Sequence, residues 1–326
     1  MSKRFDNKRL FFILGGLLAI LLLTIIVKIP KERSTLKSTL VDIDTAEVVK
    51  IIITPKASAG KPFEFVRENN KWTVRQDNIV SVPMKGGVDN IFREVLAIGP
   101  QSLAAVGKAA WEEYELTDSL ATRVKLLNGR NKDLAELMIG KFTYRQVSNP
   151  YAGYGGNNIE GTTYVRLSGE EEIYTVEGFL AFSFSGGFND WRDKSFLKCK
   201  KEDITKVTFT MPADSSFILA MKDSLWYAGS QPVDSAKTAN FLNSLSVIDG
   251  QDFRDGFKPA SSPEYLMVIE GNNLLNITVK CFKGEADGEY ILNSSLNPEV
   301  YFTSRRDGIF EQVFKPLSYF IKGTSS

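Results

Sequence analysis

The feature that most limits what this chain can fold into is an internal repeat. A β-like run, a second apolar run, a Trp, a Pro and an amphipathic helix follow one another from residue 50, and the same order returns from residue 206. In both copies the Phe that opens the second run lies nine residues before the Trp, which is Trp72 in the first copy and Trp226 in the second. Self-similarity of this kind predicts a duplicated structural module.

The repeat continues beyond the helices as further β-like runs. An Asn128-Gly129 turn separates two such runs in the first copy, and Glu270-Gly271 stands in the same place in the second. The copies differ at residues 144–160, a segment rich in Tyr, Gly and Asn that the second copy largely lacks. We expect this insertion to be a surface loop, where function is often found.

Each copy also predicts one amphipathic helix. In the first copy, apolar side chains recur with the spacing of a single helix face. These residues are Val88, Ile91, Phe92, Val95 and Leu96. Because such a face must be buried, the expected fold class is α+β. It comprises two tandem, similar, strand-rich modules at residues 46–200 and 201–322, each with an amphipathic helix packed on a mainly antiparallel sheet.

An uncharged apolar run precedes the repeats. As a helix, residues 10–27 would span roughly 27 Å, close to the hydrocarbon thickness of a bilayer. The basic residues before this run also suit a signal peptide, but the run is longer than a usual signal core and no small-x-small cleavage pattern follows it. We therefore expect a transmembrane anchor at 10–29, between a cytoplasmic tail at 1–9 and a juxtamembrane linker at 30–45.

The orientation of this anchor depends on the size of the domain that follows. Basic residues flank the apolar run on both sides, but long domains translocate largely regardless of flanking charge. The expected protein is a single-pass protein of the bacterial inner membrane, with its large C-terminal domain in the periplasm.

The composition removes several classes of function. The chain has no histidine, which excludes Ser-His-Asp and Cys-His catalysis and His-ligated zinc. Its two cysteines, Cys199 and Cys281, are too few for a four-Cys metal site. They either pair in an oxidising compartment or remain separate buried thiols. We expect no metal and no cofactor.

The distribution of charge argues against nucleic acid as a partner. Residues 1–37 carry eight Lys or Arg and two Asp or Glu, which leaves 32 basic and 37 acidic residues in the remainder. A mildly acidic ectodomain lacks the basic face that binding to nucleic acid requires.

The densest polar cluster lies near the end of the first module. In one interpretation Asp190 and Asp193 are an acid–base pair and Arg192 holds an anion. In the structural interpretation, Arg192 and the two aspartates satisfy one another in a turn and Trp191 fills the junction. The structural interpretation is favoured because nothing in the sequence sets the separation of the carboxylates. We expect no catalytic residues.

The glycine-rich part of the insertion is the candidate interaction loop, with Tyr151, Tyr154, Gly155 and Asn157 as its main residues. Glycine allows a close backbone approach and tyrosine offers a flat amphipathic face, so a sugar, a peptide or a partner protein could dock there. Phosphate binding is not indicated, since no Gly-Lys-Ser/Thr follows the glycines. A plain mobile loop is the favoured alternative.

Four short motifs, taken in order, carry a family resemblance. They are Trp-Glu-Glu-Tyr-Glu-Leu at 111–116, Ile-Gly-Lys at 139–141, Tyr-Val-Arg at 164–166 and Trp-Arg-Asp-Lys at 191–194. Together with the N-terminal anchor and the repeated pattern, they resemble the bacterial domain-of-unknown-function family 4340. Position 115 is a Glu, whereas the usual sequence in the family is Tyr-Gly-Leu.

The resemblance implies a setting for the protein. Members of the family are commonly encoded beside ABC-transporter components of the gliding-motility auxiliary type, especially in Bacteroidota. The implied protein therefore contacts the membrane bilayer and works with ABC-type transporter subunits. The resemblance implies no catalytic residues.

We therefore expect a non-enzymatic, membrane-anchored periplasmic accessory or scaffold protein of an ABC-transporter-like envelope complex. The alternative is a periplasmic module that binds a carbohydrate or a peptide, and a carboxylate-dependent hydrolase comes third. A binding module requires a concave pocket lined by aromatic side chains. A scaffold requires instead an exposed apolar patch without a pocket, and a hydrolase requires carboxylates with perturbed pKa values that converge in one cleft.

Overall fold

The structure is a computed structural model that describes residues 36–56, 60–148, 157–305 and 308–321. The cytoplasmic tail at 1–9 and the transmembrane anchor at 10–29 lie outside these ranges and stay predictions. Within the described ranges, no helix combines the length and the apolar character needed to cross a bilayer.

Antiparallel strands make up most of the described chain, and helices are few. The strand-rich α+β class predicted from the sequence is therefore confirmed. The elements up to residue 187 are, in chain order, β1 (Val48–Thr54), β2 (Phe63–Glu68), β3 (Lys71–Gln76), β4 (Ile79–Ser81), α1 (Gly87–Leu96), β5 (Pro100–Val106), β6 (Thr122–Asn128), β7 (Asp133–Ser148), β8 (Asn157–Leu167), β9 (Glu172–Glu177) and α2 (Leu180–Ser183).

The remaining elements continue the same style of fold. They are β10 (Ser195–Lys198), β11 (Ile204–Thr210), β12 (Phe217–Lys222), β13 (Leu225–Ala228), β14 (Gln231–Pro232), α3 (Ser235–Ser244), β15 (Val247–Asp249), β16 (Asp252–Phe253), β17 (Tyr265–Gly271), β18 (Leu274–Lys283), β19 (Tyr290–Ser294), β20 (Asn297–Ser304), α4 (Ile309–Val313) and α5 (Leu317–Phe320). Short 3₁₀ helices lie at Lys108–Ala110, Phe188–Trp191 and Lys201–Asp203.

The chain divides into two compact units. The first combines the described residues up to Asn69 with Val88–Gly187, and the second combines Asn70–Gly87 with the described residues from Phe188 onward. The module boundaries expected at 46–200 and 201–322 stay predictions.

In the first unit, seven described strands are antiparallel neighbours in the order β2-β1-β6-β7-β8-β9-β5. In the second unit the order is β14-β13-β12-β11-β17-β18-β19-β20-β16, again antiparallel throughout. The second unit also contains the β3–β4 hairpin and the separate β10–β15 pair.

The two units repeat one connectivity. The order β12-β11-β17-β18-β19-β20-β16 corresponds, strand by strand, to the order found in the first unit. An irregularity recurs as well, because the register slips between Val48 and Lys50 where β1 meets β6, and between Ile204 and Lys206 where β11 meets β17. Since a β-bulge is a specific feature of strand pairing, its recurrence extends the sequence repeat to the backbone.

The predicted helix faces are buried in both units. In α1, Val88, Ile91 and Val95 are buried. In α3, Phe241 and Leu242 are buried and belong to one apolar cluster with side chains of β11 and β12. Each fully buried side chain of this size contributes roughly 1.5–3 kcal/mol through burial of apolar surface.

The described part of the insertion at 144–160 is a pair of strands and not the loop that we expected. Tyr144 to Ser148 continue β7 and Asn157 to Glu160 belong to β8, so the described part of the insertion lengthens a β-hairpin. The paired strands have 16 and 11 residues, against 10 and 5 in β18 and β19 of the second unit. Main-chain pairing, supported by cross-strand contacts such as Arg145 with Glu160 at 2.7 Å, outweighs the loop-like composition.

The two cysteines do not form a disulfide. Cys199 and Cys281 are both free thiols, the first half-buried and the second buried. Loss of contact with water raises the pKa of both thiols, with a smaller contribution from Glu264 at Cys281 and from Asp203 at Cys199. Both are therefore poor nucleophiles.

The recurrent bulge gives a test of the backbone packing. A Cβ atom added at Gly271 would lie 1.8 Å from the carbonyl oxygen of Asp203, so Gly271→Ala forces the two strands apart. We expect a loss of about 1–3 kcal/mol in the free energy of unfolding, measured by urea denaturation. In Gly129→Ala, the matched control, the new atom meets only Val49 Cγ1 at 3.9 Å. Equal stability of the two variants would contradict this packing.

Candidate functional site

An open cleft of about 660 Å³ lies in the first unit. One wall is the C-terminal end of α1, which contributes Glu94 and the residues just after the helix. The opposite wall is the segment that leads from β9 into α2, and Gln101 of β5 completes the lining. The cleft therefore combines a helix end, a sheet edge and a short connecting segment.

A bulge in β5 brings Gln101 into this cleft. Pro100 pairs with Val176 and Ser102 pairs with Thr175, so Gln101 is the extra residue between them. Bulges of this kind redirect a side chain and are frequent beside functional sites. Nε2 of Gln101 donates a hydrogen bond of 3.4 Å to Oε2 of Glu177, another lining residue.

Phe179 and Phe182 form the aromatic side of the cleft, and Phe142 packs against both of them. The ring centroids of Phe142 and Phe182 are 4.7 Å apart, and those of Phe142 and Phe179 are 5.7 Å apart. Gly161 allows this packing, since a Cβ atom there would lie 2.8 Å from the Phe179 ring. Phe182 itself is 59% exposed, which is a large exposure for a side chain within an aromatic cluster.

The long β7–β8 hairpin adds exposed apolar side chains on the same face. Tyr144 pairs with Gly161, and Gln146 pairs with Ile159. Because alternate residues of a strand share a face, Tyr144 and Ile159 lie on the face that carries Phe142. Tyr144 is 70% exposed and Ile159 is 61% exposed. The aromatic cleft thus continues into a partly apolar strand surface on the β7–β8 hairpin.

In the second unit, the helix after the last strand pair is packed more fully. There α4 follows the last strand pair, as α2 does in the first unit, and its Ile309 and Val313 are buried. The Phe310 ring stacks on Tyr290 with centroids 3.6 Å apart. Burial, and to a smaller extent the nearby Tyr290, raises the pKa of Tyr265 in this cluster to about 12. The helix after the last strand pair is therefore packed in the second unit, whereas α2 of the first unit leaves Phe182 exposed.

The predicted interaction loop can be placed only in part. Tyr151, Tyr154 and Gly155 lie outside the described residues. Asn157 opens β8, where it pairs with Ser148. Sequence reasoning did not name any residue of the cleft. The lining residues come from separate segments of the chain, which no local motif indicated.

The charged residues at 190–193 contact different partners, some nearby in the chain and one far away. The buried guanidinium of Arg192 forms two hydrogen bonds to the carboxylate of Asp255, of 2.6 and 2.9 Å. Its carbon also lies 3.6 Å from the centroid of the Phe253 ring. Sequence reasoning missed Asp255 because it follows 63 residues later.

The two aspartates of this cluster have other partners. Oδ1 of Asp190 lies 3.2 Å from Nζ of Lys194, and Oδ1 of Asp193 accepts a 2.9 Å hydrogen bond from the backbone N–H of Ser195. The described contacts therefore show neither an acid–base pair nor a turn in which the aspartates satisfy Arg192. Trp191 is buried, as the structural interpretation expected.

The partners of Arg192 predict unequal effects of two carboxylate substitutions. Asp255→Ala leaves a buried guanidinium without its bidentate partner, so we expect a loss of about 3 kcal/mol in the free energy of unfolding. Asp190→Ala removes an exposed ion pair, and a loss below about 1 kcal/mol is expected. Urea denaturation of both variants measures the difference. A larger effect at Asp190 would show that this assignment of partners is wrong.

The other three sequence motifs meet in the first unit and hold a loop on the sheet. The guanidinium carbon of Arg166 lies 3.7 Å from the centroid of the Trp111 ring, and Nε of Arg166 donates a 3.0 Å hydrogen bond to the carbonyl oxygen of Leu116. The backbone N–H of Lys141 donates to the carbonyl oxygen of Tyr114 at 3.0 Å. These contacts pack the loop on the sheet and so stabilise the fold.

Gly140 is required for the same contact. A Cβ atom there would lie 2.1 Å from the carbonyl oxygen of Tyr114, so a larger residue would push the loop away from β7. Among the described residues, no group of three His, Cys, Asp or Glu is arranged to hold a metal ion.

A protein-family model supports the resemblance carried by these motifs. The model described as Domain of unknown function (DUF4340) matches residues 85–267, which is more than half of the chain. The chain belongs to the DUF4340 family. The match begins beside α1 and ends within β17, so it includes the cleft and all four motifs. No curated protein and no solved structure matches the chain.

The departure from the usual DUF4340 sequence at position 115 has a backbone explanation. Glu115 has a φ of 57°, in the left-handed region that glycine adopts without strain. The side chain also forms an exposed ion pair, with Oε2 of Glu115 2.7 Å from Nζ of Lys56. The family's glycine therefore suits this turn better than the glutamate does.

Comparing two substitutions at position 115 isolates the backbone effect. Glu115→Gly and Glu115→Ala both remove the ion pair with Lys56, but only glycine avoids the left-handed penalty. We expect Glu115→Gly to be about 1 kcal/mol more stable than Glu115→Ala, as measured by urea denaturation. If alanine were equally stable, the left-handed conformation at this residue would be in doubt.

Proposed function

We propose that this DUF4340 protein is a non-enzymatic, membrane-anchored periplasmic accessory protein that binds a segment of its partner in the first-unit cleft. The supporting observation is a difference in the helix that follows the last strand pair: α4 of the second unit is packed through Ile309 and Val313, whereas α2 of the first unit leaves Phe182 exposed in the cleft. An aromatic cleft with an exposed side chain of this size is typical of a binding surface.

The proposed partner is a subunit of an ABC-transporter-like envelope complex. This part of the proposal is supported by the genomic setting that the family resemblance implies and by the apolar run at 10–27. In this arrangement the anchor would be followed by two tandem modules that share one ancestry. Confining the cleft beside its partner raises the effective concentration, so modest contacts are sufficient.

A periplasmic module that binds a free carbohydrate or peptide is the second candidate. The cleft volume of about 660 Å³ lies within the range of about 300 to 1,000 Å³ that is usual for small-molecule sites. A concave site with aromatic side chains and a few polar groups was also the expected mark of a binding module. The hydrolase gains no such support, since Asp190 and Asp193 are engaged with Lys194 and the Ser195 N–H.

Site-specific photo-crosslinking in native membranes tests this proposal. The full chain with p-benzoylphenylalanine at position 182 should give one main protein adduct, identified by mass spectrometry as a transporter subunit. Position 275 in the second unit is the matched control, because Leu275 is 90% exposed and lies outside the cleft. The same crosslinker there should not give this adduct.

Three outcomes would count against the proposal. Identical adducts from positions 182 and 275 would indicate nonspecific contact. No adduct from position 182 would remove the cleft as the partner site. A small-molecule adduct in place of a protein would favour the second candidate.

A further inference from the structure

The charged groups that line the cleft are all acidic. Glu94 of α1 and Glu177 of β9 line the cleft, and no Lys or Arg is among the lining residues. Arg93 lies in the last turn of α1 but is exposed and outside the lining. A ligand group that enters the cleft therefore meets negative charge, which favours a cation.

The end of α1 adds to this preference. The helix has ten residues, and the segment just beyond its last turn, Ala97 to Gly99, lines the cleft. The C-terminus of an α-helix carries a partial negative charge because its last carbonyl groups lack helical partners. A cation placed in the cleft would be stabilised by this helix end as well as by the two carboxylates.

The aromatic wall suits the rest of a basic side chain. Phe179 and Phe182 line the cleft, and an ammonium or guanidinium group over an aromatic face is attracted by the ring. The apolar stem of a Lys or Arg side chain can pack on such rings while the charged end reaches the carboxylates. A small inorganic cation would not use this wall.

A sheet edge beside the cleft favours an extended peptide as the ligand. β5 ends the strand order of the first unit, and no other described strand pairs with its outer side. Register shifts occur between Pro100 and Ser102 and between Leu103 and Ala105, so only a short stretch is regular enough to pair. An extended segment that adds there would place a side chain near Gln101, at the cleft.

We infer that the cleft binds a Lys or Arg side chain from a short extended segment of a protein partner, with Glu94 and Glu177 as the residues that select the charge. This inference rests on the proposed function, because it names the kind of segment that the cleft receives. It extends that function by assigning specificity to two carboxylates on separate elements.

Fluorescence anisotropy with the detergent-purified full chain tests the charge preference. The probes are fluorescein-labelled Gly-Ser-Phe-Lys-Phe-Ser-Gly and the same peptide with a central Gln or Glu. The Lys peptide should bind at least about tenfold more tightly than the Gln peptide, as expected for hydrogen bonds to a charged group. The Glu peptide should bind most weakly.

Two variants test whether the preference for the Lys peptide arises from the cleft carboxylates. Glu94→Gln combined with Glu177→Gln should reduce binding of the Lys peptide by about tenfold and leave the Gln peptide unchanged. Glu299→Gln, an exposed carboxylate of the second unit, is the matched control and should change neither. Thermal unfolding of each variant checks that the fold is retained.

The Phe182→Ala variant distinguishes two claims: that the cleft is the binding site, and that Glu94 and Glu177 select a positive charge. If Phe182→Ala weakens all three peptides but the double Gln variant has no effect, the cleft is the binding site and the charge inference is overturned. If Phe182→Ala leaves the binding of every peptide unchanged, or no peptide binds, both the inference and the peptide-binding role of the cleft are overturned.

Discussion

Each unit must cover one face of its antiparallel sheet, and the rest of the structure depends on how completely this is done. An antiparallel sheet can leave one face in water but has to bury the other. In the second unit α3 supplies part of the cover, and α5 completes it through Phe320, which is fully buried and packs on the rings of Phe241 and Phe217. The backbone N–H of Asp234, just before α3, donates to the carbonyl oxygen of Phe320 at 2.7 Å.

The first unit has a shorter cover. Its last strand is followed by the four-residue helix α2, and no described element after α2 belongs to this unit. Leu180 and Phe184 are buried, but Phe182 remains exposed. The cleft therefore lies where the helical cover of the first sheet is incomplete. The two units share one strand connectivity but differ in the length and packing of the helices that follow the last strand.

The sequence predicted what depends on local pattern. The Phe-to-Trp spacing and the apolar helix face were sufficient to predict a repeat, and the observed strand order and bulge agree with it. The loop expected over residues 144–160 was wrong for the described residues 144–148 and 157–160, because cross-strand pairing places them in a β-hairpin. The cleft and the Arg192–Asp255 pair were not predictable, since both join residues that lie far apart in the chain.

The motifs that carry the DUF4340 resemblance bear on where function lies in this chain. Trp111, Gly140 and Arg166 are used to hold one loop on β7 and β8, so their presence has a structural explanation. The residues that distinguish the open cleft, such as Phe182 and Gln101, lie outside those motifs. The short motifs in this chain therefore maintain the fold, whereas the cleft residues are side chains that the repeat leaves free to differ between its copies. Under the proposed function, a surface of this kind would need only moderate affinity, because the predicted anchor would hold it beside its partner.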